Sequence, residues 1–304
     1  MESMQITIEG KELTISNPHK ILWPESGITK LDYIHYLISV SPYLLAYTQN
    51  RLLTMIRFPD GIDGKSFYQK EIPPFAPEWM ERAFYSDKNW ILLNDIATLV
   101  WVANLASLEI HVPFDQYVKP DYPTELTLDL DPMDTDNFDL VREIALKSRE
   151  VIDSLGLFSV IKTSGATGLQ VYIPIEPRYT YEEARLINTF IARYIAEKNP
   201  RKVTLERMVK KRGKHLYFDY LQLWRGRTLP APYSVRAKPG ATVSTPLEWA
   251  EVEKEITPAD FTIRTVPERL KLKGDLFRFV TTEKMNQGLD EILVFIKGAE
   301  LTRV

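Results

Sequence analysis

The sequence predicts an α+β fold, on three observations. Short apolar runs with strand character alternate with stretches of helical spacing from about Leu108 onward. Several helix starts carry recognisable capping residues. At 304 residues and 44% hydrophobic content the chain can bury the core of one large or two small domains, which argues against disorder.

In chain order, Ile6, Ile8, Leu13 and Ile15 alternate across a turn at Gly10 and read as a hairpin spanning Gln5 to Ile15. Thr29 with Asp32 marks a helix start, and Leu31, Ile34, Leu37 and Ile38 follow at helical spacing, with Pro42 expected to break that helix near its end. The stretch from Phe58 to Pro77 reads as irregular, with exposed aromatics at Phe67 and Tyr68. Asp95 can cap a helix running through Leu105. Leu126–Leu130 reads as a strand. Asp136 or Asn137 can cap a helix closing at Gly156, and Leu157–Thr163 is a second strand. A glycine loop leads to a strand over Tyr172–Ile175. Thr180 with Glu183 then opens a helix to about Lys198, and Leu216–Leu221 is again strand-like. Short helices are expected from Pro246. No repeat or linker is visible, so a single domain over residues 1–304 is expected, with an N-terminal lobe over about 1–107 and a core over 108–304.

Composition excludes several classes. The 38 basic and 41 acidic side chains sum to −3, so no bulk positive charge announces a polyanion partner. The absence of cysteine excludes disulfides, thiolate zinc sites and a cysteine nucleophile. His19, His35, His111 and His215 lack metal-ligand spacing, so any metal is expected on carboxylates. The N-terminus has no signal-peptide pattern, and the longest charge-free apolar stretch, Ile96 to Leu108, is well short of the roughly 20 residues that span a bilayer. A soluble cytoplasmic protein without a membrane partner is expected.

The most informative stretch is Leu126-Thr-Leu-Asp-Leu-Asp-Pro132. Side chains two apart in a strand share a face, so Asp129 and Asp131 point together while Leu128 and Leu130 enter the core. Two carboxylates this close repel unless a cation sits between them, and oxygen ligands suit Mg²⁺ or Mn²⁺. A solvated strand end explains the same letters. Asp219 lies among aromatics in another strand-like segment: it is either a third ligand, as metal-assisted nucleotidyl transfer requires, or an ion-pair partner of the basic residues at 207–214. The segment 201–214 itself holds seven basic residues against one acid. The loop Lys162-Thr-Ser-Gly-Ala-Thr-Gly168 combines hydroxyls and two glycines, as phosphate-binding nests do, or as a plain hairpin does. Arg236 stands among small and apolar residues and can bind a triphosphate bidentately, whereas Arg225 and Arg227 read as surface ion pairs.

Taken in order, these motifs resemble the polymerase domain of bacterial DNA ligase D, in the archaeo-eukaryotic primase superfamily. The resemblance runs from Ile15 to about Ile263. It is carried by Asn17-Pro-His-Lys20 with Lys30, Phe67-Tyr-Gln-Lys70, Trp101-Val-Ala-Asn-Leu105 leading to His111, the Asp129/Asp131 pair, the Ser164–Gly168 loop, Asp219-Tyr-Leu-Gln222 and Pro232-Tyr-Ser-Val-Arg236. It implies a primase-polymerase, RRM-like core with a mixed or antiparallel sheet flanked by helices, and an N-terminal α/β lobe packed against it. It further implies two divalent ions, Mn²⁺ or Mg²⁺, on Asp129, Asp131 and Asp219. His111, Lys162, Ser164, Gly165, Thr167, Gly168, Gln170, Gln222 and Arg236 would contact the nucleoside triphosphate. Asn17, Lys20, Lys30 and Lys70 would meet DNA, the first three at a 5′-phosphate, with Phe67 and Tyr68 stacking on template bases. The implied activity is gap filling and end extension in non-homologous end joining, with a preference for ribonucleotides, Ku and a DNA ligase domain or protein as partners, and a nucleoid location.

Two positions depart from the pattern: Thr167 and Gln170 stand where many relatives have lysine and histidine. Activity is expected to survive with altered nucleotide affinity, because the three acids are intact. No Lys-x-Asp-Gly ligase motif is present, so the chain is either a stand-alone polymerase or one domain of a longer ligase. Two rival readings are a non-catalytic DNA-end binding module and a metal-dependent sugar-nucleotide glycosyltransferase; the latter leaves Asp219, the lysine set and Phe67-Tyr68 unexplained.

Overall fold

A computed structural model describes residues 2–301. The first elements form where alternation and caps place them. Ser3–Ile8 (β1) and Lys11–Ser16 (β2) pair antiparallel around Glu9 and Gly10, both with positive φ, as a tight two-residue hairpin turn requires. Ile21–Trp23 (β3) and Ile28–Thr29 (β4) lead into helix Lys30–Thr48 (α1), which opens on the Thr29–Asp32 capping box. Thr54–Arg57 (β5), Phe67–Gln69 (β6), Arg82–Tyr85 (β7) and Lys88–Ile91 (β8) follow. Ile96–Asn104 (α2) is capped by Asp95, and Ser107–Val112 (β9) comes next.

Glu125–Pro132 (β10), Phe138–Ser154 (α3), Val160–Thr163 (β11), Leu169–Pro174 (β12) and Tyr181–Lys198 (α4) continue the chain. Asn137 caps α3, and the Thr180–Glu183 capping box opens α4. Then come Val203–Thr204 (β13), Leu216–Asp219 (β14), Leu229–Pro230 (β15), Pro246–Leu247 (β16), Trp249–Val252 (α5), Val266–Lys273 (α6) and Asp290–Leu301 (α7). The strand over Leu216–Leu221 stops two residues early because Asp219 Oδ1 accepts the Leu221 amide, which turns the backbone out of the sheet.

The described residues divide into two compact units with interleaved segments. One comprises residues 2–118, Thr228–Thr245 and Ala259–Asp275, extending beyond the residue-107 border read from the sequence. The other comprises Lys119–Arg227, Pro246–Pro258 and residues 276–301. In the first unit an antiparallel sheet runs in the order β15-β9-β5-β6. In the second a mixed six-stranded sheet runs β13-β14-β10-β12-β11-β16, with only β13–β14 parallel. Helices α3 and α4 pack on β10, and Asn188 Nδ2 of α4 donates to Thr127 O of that strand at 2.8 Å. Leu126, Leu128, Leu130, Val171, Ile161 and Phe218 are wholly buried in this unit. The fold is thus α+β. No helix among the described residues is long and apolar enough to cross a membrane.

One expectation is corrected. Pro42 does not break α1, which continues six residues beyond it to Thr48. A proline in a helix orphans the carbonyl four residues back, here that of Ile38. The Ser41 hydroxyl donates to that oxygen at 2.8 Å and replaces the missing bond, while Leu44 and Tyr47 beyond the proline stay buried. Ser41→Ala should therefore lower stability by about 1 kcal/mol, read as a lower denaturation midpoint, and the loss should vanish in a Pro42→Ala background that restores the backbone bond.

Candidate active site

The acids are placed by register. β10 lies between β12 and β14, and Asp129 stands directly opposite Gln170 on one side and Asp219 on the other. Gln170 in turn faces Lys162 on β11. One row across four strands therefore reads Asp219, Asp129, Gln170, Lys162, and Asp131 shares the face of Asp129 two residues along. Gln170 Nε2 donates to Asp129 Oδ1 at 2.9 Å, and Lys162 Nζ, with no exposed surface, donates to Gln170 Oε1. Burial, then the charge of Asp131, push the Asp129 carboxyl well above the usual carboxylate range; the Gln170 bond opposes this, Asp219 adds to it, and Lys162 opposes it. Asp219 Oδ1 accepts from Tyr217 Oη and from the Leu221 amide, both at 3.1 Å. Among the described residues no three His, Cys, Asp or Glu side chains stand gathered to hold a metal ion. The donor chemistry nonetheless fits one, because three oxygen ligands from adjoining strands, one carrying an energetic penalty for its charge, are relieved by a hard cation.

The Ser164–Gly168 loop closes on itself. The Ser164 amide donates to Gly168 O at 2.9 Å, and the Ser164 hydroxyl accepts the Ala166 and Gly168 amides at 3.1 and 3.0 Å. Gly165 has φ +71°, which glycine adopts without strain. Gly168 lies so close to β10 that a Cβ there would collide with Leu130 O and touch Asp131 Oδ1, so the loop abuts the acid pair at a distance only glycine permits. Thr167 belongs to this turn. Gln222 follows Asp219 in the turn after β14, its amide 3.4 Å from Asp219 O.

In the first unit, His111 and Arg236 meet on a residue the sequence reading did not single out. Glu109 Oε2 lies 2.9 Å from His111 Nε2 and 3.0 Å from Arg236 Nε, and its Oε1 accepts the Ala237 amide at 3.0 Å. Burial pushes the Glu109 carboxyl up, but the His111 bond, the Arg236 and His111 charges and the Ala237 amide outweigh it and hold the group down at about 2. A signal for Glu109 was present: it lies two residues before His111 in a strand, hence on the same face, in an otherwise apolar run.

Asn17, Lys20 and Lys30 also come together in the first unit. The Lys20 amide donates to Asn17 O at 3.0 Å and the Lys30 amide to Lys20 O at 2.9 Å. Lys20 Nζ is held by Pro59 O at 2.6 Å and Asp60 Oδ1 at 2.9 Å. Lys30 Nζ is buried against Ser16 O and Asn104 O; burial, then the Lys20 charge, bring its ammonium down to about 8. Phe67 and Tyr68 are 44% and 70% exposed, which a core role does not explain. Phe67 stands opposite Arg57, whose guanidinium lies 5.1 Å from the ring. Tyr68, Lys70, Arg82 and Lys88 line a cleft of about 760 Å³.

The α+β fold is that of a nucleotidyl-transferring polymerase domain. The model of the LigD primase-polymerase domain matches residues 29–277, and the chain belongs to that family. It is 39% identical over 287 residues to the bifunctional non-homologous end joining protein LigD of Bacillus subtilis, covering 94% of this chain and 47% of that protein. It is 30% identical to the multifunctional LigD of Mycolicibacterium smegmatis over 273 residues, 88% of this chain and 36% of that one. The chain thus spans about half or less of the length of these curated relatives. Among solved structures, the polymerase domain from Mycobacterium tuberculosis ligase D in complex with DNA matches with a TM-score of 0.82 at 29% identity, covering 88% of this chain and 97% of that one.

Mutual repulsion within the row has a measurable sign. A carboxyl raised above its unfolded value stabilises the fold only at low pH, and that contribution is lost as pH rises through the folded value, so at neutral pH Asp129 is a net cost. Asp131→Asn should raise the melting temperature in chelator by about 2 °C or more at pH 7. Mn²⁺ should stabilise wild type more than this variant, as thermal shift with and without the ion would measure.

Proposed function

We propose that this chain is a template-directed nucleotidyltransferase that extends primer 3′ ends and fills gaps at DNA breaks during non-homologous end joining. The observation that carries it is the in-register row of Asp219, Asp129 and Gln170, with Asp131 on the same face. Asp129, Asp131 and Asp219 would hold two divalent ions, Mn²⁺ or Mg²⁺, which when bound acidify the attacking 3′ hydroxyl and neutralise charge on the departing pyrophosphate. The protein's own part is to present these carboxylates with the glycine loop against them. Ser164, Gly165, Thr167, Gly168, Gln222, His111 and Arg236 are assigned to the nucleoside triphosphate; Glu109 holds His111 and Arg236 in place for that task.

Asn17, Lys20 and Lys30 are assigned to the 5′-phosphate of a gap, where phosphate replaces Asp60 as the anion at Lys20. Exposed Phe67 and Tyr68, with Lys70 nearby, suit stacking on bases and contact with the backbone without reading sequence. A preference for ribonucleotides, cooperation with Ku and with a ligase domain or protein, and work at the nucleoid complete the reading.

Primer extension on a gapped duplex with Mn²⁺ and ribo- or deoxynucleotides tests it. Wild type should extend, and Asp129→Ala or Asp131→Ala should lose on the order of 10³-fold in rate. Wild type that binds the gap without extending the primer would instead make this a DNA-end binding module. A second expectation concerns the lysines: Lys20→Ala should bring extension on phosphorylated and unphosphorylated gaps toward equality. In wild type the preference should decline as pH rises through about 8, where Lys30 loses its charge. Equal extension of both substrates by wild type at pH 7 would refute the pocket.

A further inference from the structure

Lys162 is a cation with no exposed surface, in a strand that also contributes the fully buried Ile161 and Thr163. Burying an ammonium carries a large desolvation penalty, so its partner matters. One such partner is Gln170 Oε1, and the amide's other end donates to Asp129 Oδ1 at 2.9 Å. An ammonium can only donate, so it selects which end of the amide faces it. The oxygen must turn to Lys162, and the N–H is then aimed at the carboxylate. Register reinforces this: Lys162, Gln170 and Asp129 are successive partners across β11, β12 and β10, so each reaches the next without leaving its strand position. The Tyr172 ring, centred 5.5 Å from Nζ, occupies the neighbouring space. Gln170 is itself only 2% exposed, with both amide ends engaged.

We propose that Lys162 is a positioning residue: by locking the Gln170 amide in the orientation that donates to Asp129, it fixes how that carboxylate is presented to a divalent cation. This rests on the reading of Asp129, Asp131 and Asp219 as the metal centre. Lys162 then acts through Gln170, not by touching the nucleotide.

The experiment is Mn²⁺ binding to the nucleotide-free protein, followed by the free-ion electron paramagnetic resonance signal, for Lys162→Met, Gln170→Met and the double variant. Both replacements are near in shape, but each single variant buries the other residue's polar end without this bond, so melting curves check that each variant is folded. Removing an outer partner of a metal ligand typically weakens affinity about 10- to 100-fold, and each single variant should fall in that range. The double variant should be little weaker than Gln170→Met alone, because the hydrogen-bonded route through the amide is already gone and only the smaller through-space effect of the Lys162 charge remains. Additive losses would mean that Lys162 acts by its charge directly, and would overturn the proposal. So would wild-type Mn²⁺ affinity in Lys162→Met accompanied by a raised KM for ATP, the signature of a nucleotide contact. If Lys162→Met proves unfolded, Gln170→Met decides alone: unchanged affinity overturns the proposal. Asp129→Ala is the control, since unchanged Mn²⁺ binding there would remove the metal-centre reading itself, whereas loss there with no effect at Lys162 or Gln170 removes only the positioning role.

Discussion

A slip of one residue between β10 and either neighbour would turn Asp129 and Asp131 to the side that Leu128 and Leu130 now fill, and would bring leucines into the row of polar groups. Burial prevents it. Leu126, Leu128 and Leu130 are wholly covered, as are Val171 on β12 and Phe218 on β14, and each such side chain contributes roughly 1.5–3 kcal/mol by leaving water. Apolar packing on one face of the sheet thus sets where charge appears on the other. Gly168 adds a steric condition, since its closeness to Leu130 O holds the loop against β10 with no room for a side chain.

The two units solve opposite electrostatic problems by the same means. In the second, carboxylates repel one another and a buried lysine, acting through a glutamine, stands behind the most deeply buried of them. In the first, His111 and Arg236 are drawn together by Glu109, whose carboxyl is held at about 2 by the cations and amide around it. Either cluster would be costly if one partner were missing, because an uncompensated charge would remain buried. The net charge of −3 conceals both arrangements, since it sums charges that the fold sorts into separate places.

Much of the fold was legible because its signals are local. The capping pairs Thr29–Asp32 and Thr180–Glu183, the caps Asp95 and Asn137, and the Gly10 hairpin each involve residues within a few positions of one another, so they can be read without knowing what packs where. Pro42 was misleading for the same reason: the loss of its backbone bond is local, but burial of the helix beyond it is tertiary, and the repair by Ser41 depends on that helix being held. Phe67 and Tyr68 are aromatic residues whose sequence neighbours do not settle burial; exposure follows from their place on the edge strand β6.

The sequence by itself determined which residues share a face: Asp129 with Asp131 by the two-residue period of a strand, and Glu109 with His111 by the same rule. It also carried the resemblance to the ligase D polymerase domain that the family match bears out. Only the tertiary structure decided which strands are neighbours. The pairing of β14 and β12 on either side of β10 joins residues 219 and 170 to residue 129, and the placement of Lys162 one strand further makes it a buried support for Gln170. Strand order is set by the packing of whole apolar faces, so no spacing along the chain encodes it, and a lysine in a phosphate-loop motif reads the same whether it faces solvent or the core.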